Sequence, residues 1–207
     1  MSQEHKESLV QRLEAKIRYV MGKNNVRRIQ QRLSALTNSG RVLELGCRSG
    51  IYTACLLEQA VSITATDPSD EWLTVVSSRF QHDNKVKVEK VSCFFLPYQD
   101  HTFDTIVISH LLHQIPNQER ALMELRRVLK PNGRLYIISD TCYDMTLWTR
   151  CQLHLRHLIA HHKRLHYSVH LTPSLTESLC RAAGFNEVQC QLLGHRTKVL
   201  FALAETT

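Results

Sequence analysis

Short apolar runs alternate with helix-like stretches through the middle of the chain, and this alternation constrains the fold more than any other feature. The runs are rich in β-branched residues, as buried strands are, whereas the stretches between them have apolar side chains at three- and four-residue spacing. The predicted strands are Val42–Leu45, Ser62–Thr66, Val86–Val91, Thr105–Ser109 and Arg134–Ser139. The predicted helices are Ile51–Ala60, Glu71–Phe80 and Gln118–Leu129. Such an alternation predicts an α/β fold with a mainly parallel sheet and helices on both faces.

Further elements flank this region. Helical periodicity from Glu4 to Leu36, broken near Gly22–Asn25, predicts two helices before the first strand. Towards the other end, Thr172 and Pro173 are typical of a helix start, and Gly184 is typical of a helix end. Two terminal strands, which we expect to form an antiparallel edge of the sheet, are predicted at Glu187–Leu193 and Lys198–Ala204.

A long histidine-rich segment, Cys142–Leu171, interrupts the alternation and is predicted to be a helical lid over the ends of the strands. Several of its histidines have the i, i+4 spacing that can bind a metal, but no carboxylate or cysteine completes a ligand set. We therefore predict no metal and interpret the histidines as a solvated helix face, which could also meet an acidic substrate or RNA phosphates. They are His154, His157, His161, His162, His166 and His170.

Length and composition limit the class of protein. A chain of 207 residues with 43% hydrophobic residues predicts one domain, with N-terminal helices at 1–38, a core at 39–141, the lid at 142–171 and closing elements at 172–207. No run is long and apolar enough to span a bilayer, and the start lacks the apolar region of a signal peptide, so we expect a cytosolic protein.

Charge and cysteine content favour ordinary interpretations. The net charge of +7 is dispersed, which favours solvated helix faces over a nucleic-acid partner. The seven cysteines include no C-x-x-C pair, so we expect mostly reduced thiols in the core.

The strongest functional signal is the segment VLELGCRSG at 42–50, a buried strand that ends in a glycine-bearing turn before a helix. Glycines in such a turn allow the backbone to approach a ligand closely, and the helix start offers unpaired N–H groups. This signal alone is weak, because dinucleotide-binding dehydrogenases use the same device. Asp67, however, follows the next strand about 20 residues later, where a carboxylate can accept hydrogen bonds from both ribose hydroxyls. The two features together favour a ligand that contains adenosine.

The same region resembles the class I S-adenosylmethionine-dependent methyltransferases, in particular their small-molecule branch related to the ubiquinone and menaquinone biosynthesis methyltransferases (methyltransferase type 11). The motifs that match, in order and approximate spacing, are VLELGCRSG, TATDPS, FFLPYQDHTFDTIVISHLLHQIP and LRRVLKPNGRLYIIS. The resemblance runs from about Arg41 to Asp140 and more faintly to Phe201. It implies a Rossmann-like, seven-stranded, mostly parallel sheet with an antiparallel C-terminal strand, and S-adenosyl-L-methionine as the cofactor.

The resemblance also implies a set of cofactor-binding residues. Glu44, Gly46 and Gly50 match the motif around the methionine part of the cofactor. Asp67 matches the ribose-binding acid, and Pro68 matches a residue beside the adenine. Further candidates within the matching motifs are Cys47, Arg48, Ser92, Cys93, Phe94 and Ser109.

Two of these positions depart from the family pattern. Arg48 stands where a third glycine is usual, and Ser92 stands where an acid commonly meets the adenine amine. The Arg48 side chain could point to solvent, obstruct the turn, or pair its guanidinium with the cofactor carboxylate. The Ser92 hydroxyl can still hydrogen-bond the adenine amine, but this neutral contact should be weaker by about 1 kcal/mol.

Few residues are candidates for catalysis, because the sulfonium cofactor contains its own leaving group and the protein mainly aligns the nucleophile. If the acceptor is a hydroxyl or an enol, a base helps, and His110 and His113 follow the fourth predicted strand at its carboxyl end. Either histidine can equally be structural. Asp140, Tyr143 and Asp144 occupy the corresponding place after the fifth strand and can equally be surface turn residues.

These observations predict a methyltransferase that acts on a small organic acceptor. An RNA methyltransferase is an alternative, motivated by the basic N-terminal helices and the basic lid. An inactive binding module that keeps the fold is another, motivated by the departures at Arg48 and Ser92.

Overall fold

The computed structural model describes residues 11, 12, 15, 23–152, 155, 171–195 and 198–206, and all elements named below lie within these ranges. The strands are β1 Gly40–Leu45, β2 Ala60–Thr66, β3 Val86–Glu89, β4 Phe103–Ser109, β5 Leu129–Thr141, β6 Glu187–Leu193 and β7 Lys198–Glu205. The helices are α1 Lys23–Ser34, α2 Thr53–Leu56, α3 Asp70–Arg79, α4 Gln118–Val128 and α5 Pro173–Ala182, with a short 3-10 helix at Leu112–Gln114.

The strands form one seven-stranded sheet in the order β3-β2-β1-β4-β5-β7-β6. Neighbouring strands from β3 to β5 pair in parallel, whereas β7 is antiparallel to both β5 and β6. This arrangement confirms the predicted Rossmann-like α/β fold with an antiparallel C-terminal strand. The antiparallel strand lies one position inside the sheet, because β7 inserts between β5 and β6.

Successive side chains of the central strands are buried in two different apolar clusters, one on each face of the sheet. On β1, Leu43 and Leu45 belong to one cluster and Val42 belongs to the other. The same alternation continues on β4 and β5, as expected for a strand covered on both faces. Helix α1 covers one face with its apolar side, through Val26 and Ile29.

Several element boundaries differ from the predictions. The helix predicted at Ile51–Ala60 is reduced to α2, Thr53–Leu56, because the chain turns at residues 57–59 and Ala60 already belongs to β2. The strand predicted at Arg134–Ser139 is longer, because Leu129 pairs with Phe103 ahead of a register shift.

Two predicted regions are only partly described. Helix α1 starts within the predicted break at Gly22–Asn25, and most of the helix predicted before it lies outside the described residues. In the predicted lid, residues 147–152 and 155 are helical, while the histidines from His154 to His170 lie outside the described residues. None of the described helices combines the length and the apolar character that a membrane crossing requires.

Candidate functional site

A crevice opens at the carboxyl edge of the sheet, where β1 and β2 end. Its volume of about 370 Å³ lies within the roughly 300–1,000 Å³ that is typical of small-molecule sites. Its walls are the ends of these two strands, the loop 90–94 and Leu111. In open α/β sheets ligands bind at this edge, at the point where the strand order changes direction. The strands that follow there in sequence lie on both sides of the first strand. That strand is β1, which lies between β2 and β4.

The turn after β1 is held from both sides. The N–H groups of Gly46 and Cys47 donate to the carbonyl oxygen of Thr66 at 2.8 and 3.0 Å. The hydroxyl of Ser109, at the end of β4, donates to the carbonyl oxygen of Gly46 at 2.9 Å. Gly46 has φ +81°, and a Cβ there would collide with the Ser109 carbonyl oxygen. Only glycine therefore fits at this position, and the turn leaves the crevice open above it.

Arg48 adopts the left-handed backbone conformation that a glycine would adopt readily, with φ +47°. Its N–H donates to Oδ2 of Asp67 at 3.1 Å, and Nη2 lies 3.4 Å from the carbonyl oxygen of His110. The guanidinium thus crosses from the turn after β1 to the end of β4, and it does not extend into solvent. Gly50 closes the same turn, with φ +72° and its N–H donating to the carbonyl oxygen of Cys47 at 2.8 Å.

Asp67 lies between two residues that line the crevice, Thr66 and Pro68, and its side chain is buried. Its two carboxylate oxygens accept the N–H groups of Ser69 at 2.9 Å and of Arg48 at 3.1 Å. Burial raises the pKa of Asp67, although these two N–H groups and the Arg48 charge lower it in part. Each oxygen keeps a further lone pair with which it can accept another hydrogen bond.

Glu44 lies on β1 directly before the turn and is completely buried. Its Oε2 accepts the Thr53 hydroxyl at 2.6 Å, and no residue in the described part of the chain hydrogen-bonds its Oε1. Burial raises the pKa of Glu44 to about 7, while the Thr53 hydroxyl lowers it and the nearby charge of Asp67 raises it further. A buried carboxyl oxygen without a partner is unfavourable, so this side chain is suited to an additional donor.

The opposite wall of the crevice is the loop that follows β3. Ser92 is exposed, and its hydroxyl accepts the N–H of Phe94 at 3.3 Å. Cys93 and Phe94 are half-buried and line the crevice together with Pro68. This wall is therefore apolar, with the Ser92 hydroxyl as a polar group on it.

The two histidines predicted as candidate bases are buried and have protein partners. His110 lies with its Nε2 3.4 Å from the Tyr52 hydroxyl and its Nδ1 3.2 Å from Oδ2 of Asp140. His113 contacts the hydroxyl of Ser139 through Nδ1 at 2.9 Å. Both side chains thus connect elements of the fold, and their action as bases stays a prediction.

The Tyr52–His110–Asp140 cluster is a grouping that sequence reasoning did not find. Tyr52 carries no motif, and the sequence marks Asp140 only as one of several possible turn residues. Burial acts to raise the pKa of Asp140, but the nearby His110, His113 and Arg48 outweigh it and hold the pKa at about 2. The only sequence signal for the cluster is that His110 and Asp140 lie at the carboxyl ends of neighbouring strands, β4 and β5.

Comparison with known proteins shows one consistent group. Residues 43–137 match the family model described as a methyltransferase domain. The demethylmenaquinone methyltransferase of Clavibacter sepedonicus is 34% identical over 97 residues, which cover 47% of this chain and 40% of that protein. The corresponding enzyme of Lactiplantibacillus plantarum is 30% identical over 118 residues, which cover 54% of this chain and 50% of that protein. The chain therefore spans half or less of the length of these curated relatives.

The fold also recurs among solved structures. A SAM-dependent methyltransferase from Aquifex aeolicus aligns with 97% of this chain, over 98% of its own length, with a TM-score of 0.67 and 18% identity. At this identity the likeness shows a shared fold.

Proposed function

We propose that this chain is a class I S-adenosylmethionine-dependent methyltransferase that transfers the methyl group of S-adenosylmethionine to a small organic acceptor. The match of residues 43–137 to the methyltransferase-domain family supports the proposal. The observation that carries the proposal is the open crevice beside Gly46, with Glu44 and Asp67 at the strand ends that form its floor. The demethylmenaquinone methyltransferases among the relatives are named for a small organic substrate, which supports an acceptor of that class.

The residues of the crevice fit the cofactor. When bound, S-adenosylmethionine supplies a methyl group on a positively charged sulfur, so the chain has to bind it, orient it and exclude water. Asp67 would accept the ribose hydroxyls with its remaining lone pairs, while Pro68, Cys93 and Phe94 would enclose the adenine. The Ser92 hydroxyl would meet the adenine amine.

The methionine part would lie along the turn after β1. Oε1 of Glu44, which has no partner among the described residues, would receive a hydrogen bond from its amino group, directly or through a water. The Arg48 guanidinium, held across the turn next to the His110 carbonyl, would pair with its carboxylate. Cys47, Gly50 and Ser109 would act through the backbone geometry of this turn.

Calorimetric titration with S-adenosylhomocysteine, the demethylated cofactor, tests the proposal. The wild-type chain should bind it, and Asp67→Asn should weaken binding about tenfold because a charge-assisted hydrogen bond to the ribose is lost. Asp83→Asn is the matched control, because Asp83 also accepts the N–H two residues further along, at 2.9 Å from Lys85, but lies before β3 and away from the crevice. Wild-type protein that does not bind at millimolar S-adenosylhomocysteine would overturn the proposal.

The same titration on Arg48→Gly distinguishes a binding role from obstruction. Glycine accepts the left-handed backbone without strain, so the turn should persist and only the guanidinium should be lost. Affinity should fall about tenfold if Arg48 pairs with the cofactor carboxylate. Tighter binding by the variant would show that Arg48 blocks the turn, as the inactive-module alternative requires.

A further inference from the structure

Asp140 is the accessible member of the contacting pair His110 and Asp140 at the ends of β4 and β5. It lies deep at the carboxyl end of β5, yet its side chain keeps 21% of its accessible surface, whereas the side chain of His110 keeps 1%. The histidine therefore cannot meet a molecule outside the fold without a rearrangement, but the carboxylate can.

The carboxylate is ionised and has one oxygen to spare. His110 contacts Oδ2 at 3.2 Å, and His110, His113 and Arg48 together lower the pKa of the Asp140 carboxyl. Among the described residues, Tyr52 and Cys142 also lie close enough to interact with its charge. Within the described residues, no hydrogen bond reaches Oδ1 of Asp140. An accessible, ionised carboxylate with a free oxygen is suited to accept a hydrogen bond from a bound molecule.

The position of Asp140 relative to the crevice indicates from which side a second molecule would reach it. The crevice lies at β1 and β2, and Asp140 lies two strands from β1 on the other side, beyond β4. If adenosine occupies the crevice and the methionine part follows the turn at 46–50, the adenosine side is closed to a second molecule. The acceptor then has to reach the sulfur from the β4 and β5 side, because methyl transfer needs an in-line approach.

We propose that Asp140 holds the methyl acceptor, and that the acceptor presents an amine or hydroxyl hydrogen to the Asp140 carboxylate. The inference rests on the proposed function and adds to it a substrate class and a residue that selects it. Because the carboxyl group of Asp140 is strongly acidic, its carboxylate is a weak base near neutral pH. Asp140 therefore orients the acceptor by accepting its hydrogen bond. The buried histidines position this carboxylate, and they are not expected to touch the acceptor.

Sinefungin provides a probe that does not require the acceptor to be known. In this cofactor analogue a carbon that bears a primary amine replaces the sulfur, so an ammonium group lies where the transferred methyl group would lie. Its affinity and that of S-adenosylhomocysteine are measured by calorimetry on wild-type protein and on Asp140→Asn. The variant should weaken sinefungin about tenfold, because the ammonium group loses the attraction of the nearby carboxylate charge. It should change the affinity for S-adenosylhomocysteine less than about twofold, since that ligand has no group at the position of the transferred methyl.

Asp144→Asn is the matched control. Asp144 lies four residues after Asp140, beyond the end of β5. Its side chain is 68% exposed, and it contacts Lys198 at 3.4 Å. This variant should leave the ratio of the two affinities unchanged, and Asp140→Glu should restore most of the wild-type ratio. If Asp140→Asn does not fold, Asp140→Ser is measured in its place.

The outcomes separate the two proposals. An unchanged ratio in a folded Asp140 variant that still binds S-adenosylhomocysteine would overturn the role of Asp140 and leave the proposed function intact. Equal weakening of both ligands would also overturn it, because that result indicates a structural role. Absence of S-adenosylhomocysteine binding by wild-type protein would overturn the proposed function and this inference with it.

Discussion

Glu44 shows how much a single residue can link ligand binding to stability. Its side chain is completely buried, and its Oε2 accepts a hydrogen bond from the Thr53 hydroxyl. Burial raises the pKa of Glu44 to about 7. The folded chain therefore retains a proton on Glu44 between pH 4.5 and 7 that the unfolded chain releases. The stability contributed by this proton is fully present below the pKa of Glu44 in the unfolded chain. It is lost as the pH rises through about 7, the pKa in the folded chain.

Glu44→Gln should remove this pH dependence. Relative to the variant, the wild-type chain should lose about 2–3 kcal/mol of unfolding free energy between pH 5 and pH 8, as the pKa difference between folded and unfolded states requires. Urea denaturation of both proteins at the two pH values measures the change. Glu58→Gln, at an exposed position of the following turn, is the control and should show no comparable change. A difference between wild type and Glu44→Gln that is the same at both pH values would contradict the assignment.

Individual residues also show where sequence reasoning reaches its limit. The sequence located Gly46, Arg48 and Asp67 at the ends of the first two strands, because strand and turn patterns are local. It left three alternatives open for the Arg48 side chain. The choice depends on the carbonyl oxygen of His110, which is 62 residues away in sequence. Contacts of this kind follow from the packing of β1 against β4 and have no local signature.

At the scale of elements, helix α4 holds the segment 96–100, which directly follows the crevice wall at 90–94. Arg127 of α4 donates from Nη1 to the carbonyl oxygen of Tyr98 at 2.9 Å and from Nη2 to that of Leu96 at 3.0 Å. It also pairs with Asp100 at 2.7 Å and with Glu124 at 2.8 Å. Glu124 in turn accepts the N–H of Leu96 at 2.8 Å. Helix α4 thus fixes the segment 96–100, which follows the crevice wall at 90–94.

Arg127→Met should therefore weaken binding of S-adenosylhomocysteine about tenfold, because the loop loses several charge-assisted hydrogen bonds and has to be ordered by the ligand. Arg126→Met is the matched control, since Arg126 is its neighbour on α4 and donates to the carbonyl oxygen of Gly184 at 2.7 Å, away from the crevice. Calorimetry gives the affinities and thermal denaturation gives the stabilities. Equal affinities for the two variants, whatever their stabilities, would show that Arg127 does not shape the binding loop.

Element identities could be predicted from the sequence better than element lengths. The apolar periodicity of 51–60 fits a helix, but the structure ends α2 at Leu56 because Ala60 has to pair with Gly40 at the start of the sheet. The sequence Lys130-Pro131-Asn132-Gly133 is typical of a turn, yet it lies within β5, where Asn132 adopts φ +59° next to a register shift. In the first place strand pairing outweighs the local helix preference, whereas in the second the turn preference persists as an irregularity between Leu129 and Arg134, which pair with Phe103 and Thr105.

The described part of the molecule is organised around one sheet, and each of its central strands contributes side chains to the apolar clusters on both faces. On β5, Leu135 and Ile137 enter one cluster while Tyr136 and Ile138 enter the other. Neither cluster can lose its strands without exposing the other, which supports the predicted single domain. Because the apolar runs are strongly patterned, this architecture was predictable from the sequence, whereas the strand order follows from tertiary packing.

A ligand that binds the crevice should therefore stabilise the molecule as one unit. At a concentration about 100 times its dissociation constant, S-adenosylhomocysteine should add about 2.7 kcal/mol to the unfolding free energy. For a chain of this length that corresponds to a rise in Tm of about 5–10 °C. Calorimetry should show a single unfolding transition at the higher temperature. Asp67→Asn at the same ligand concentration should show a clearly smaller rise in Tm. A second transition that stays at the ligand-free temperature would mean that part of the described fold unfolds independently of the sheet, and that the chain is not one cooperative domain.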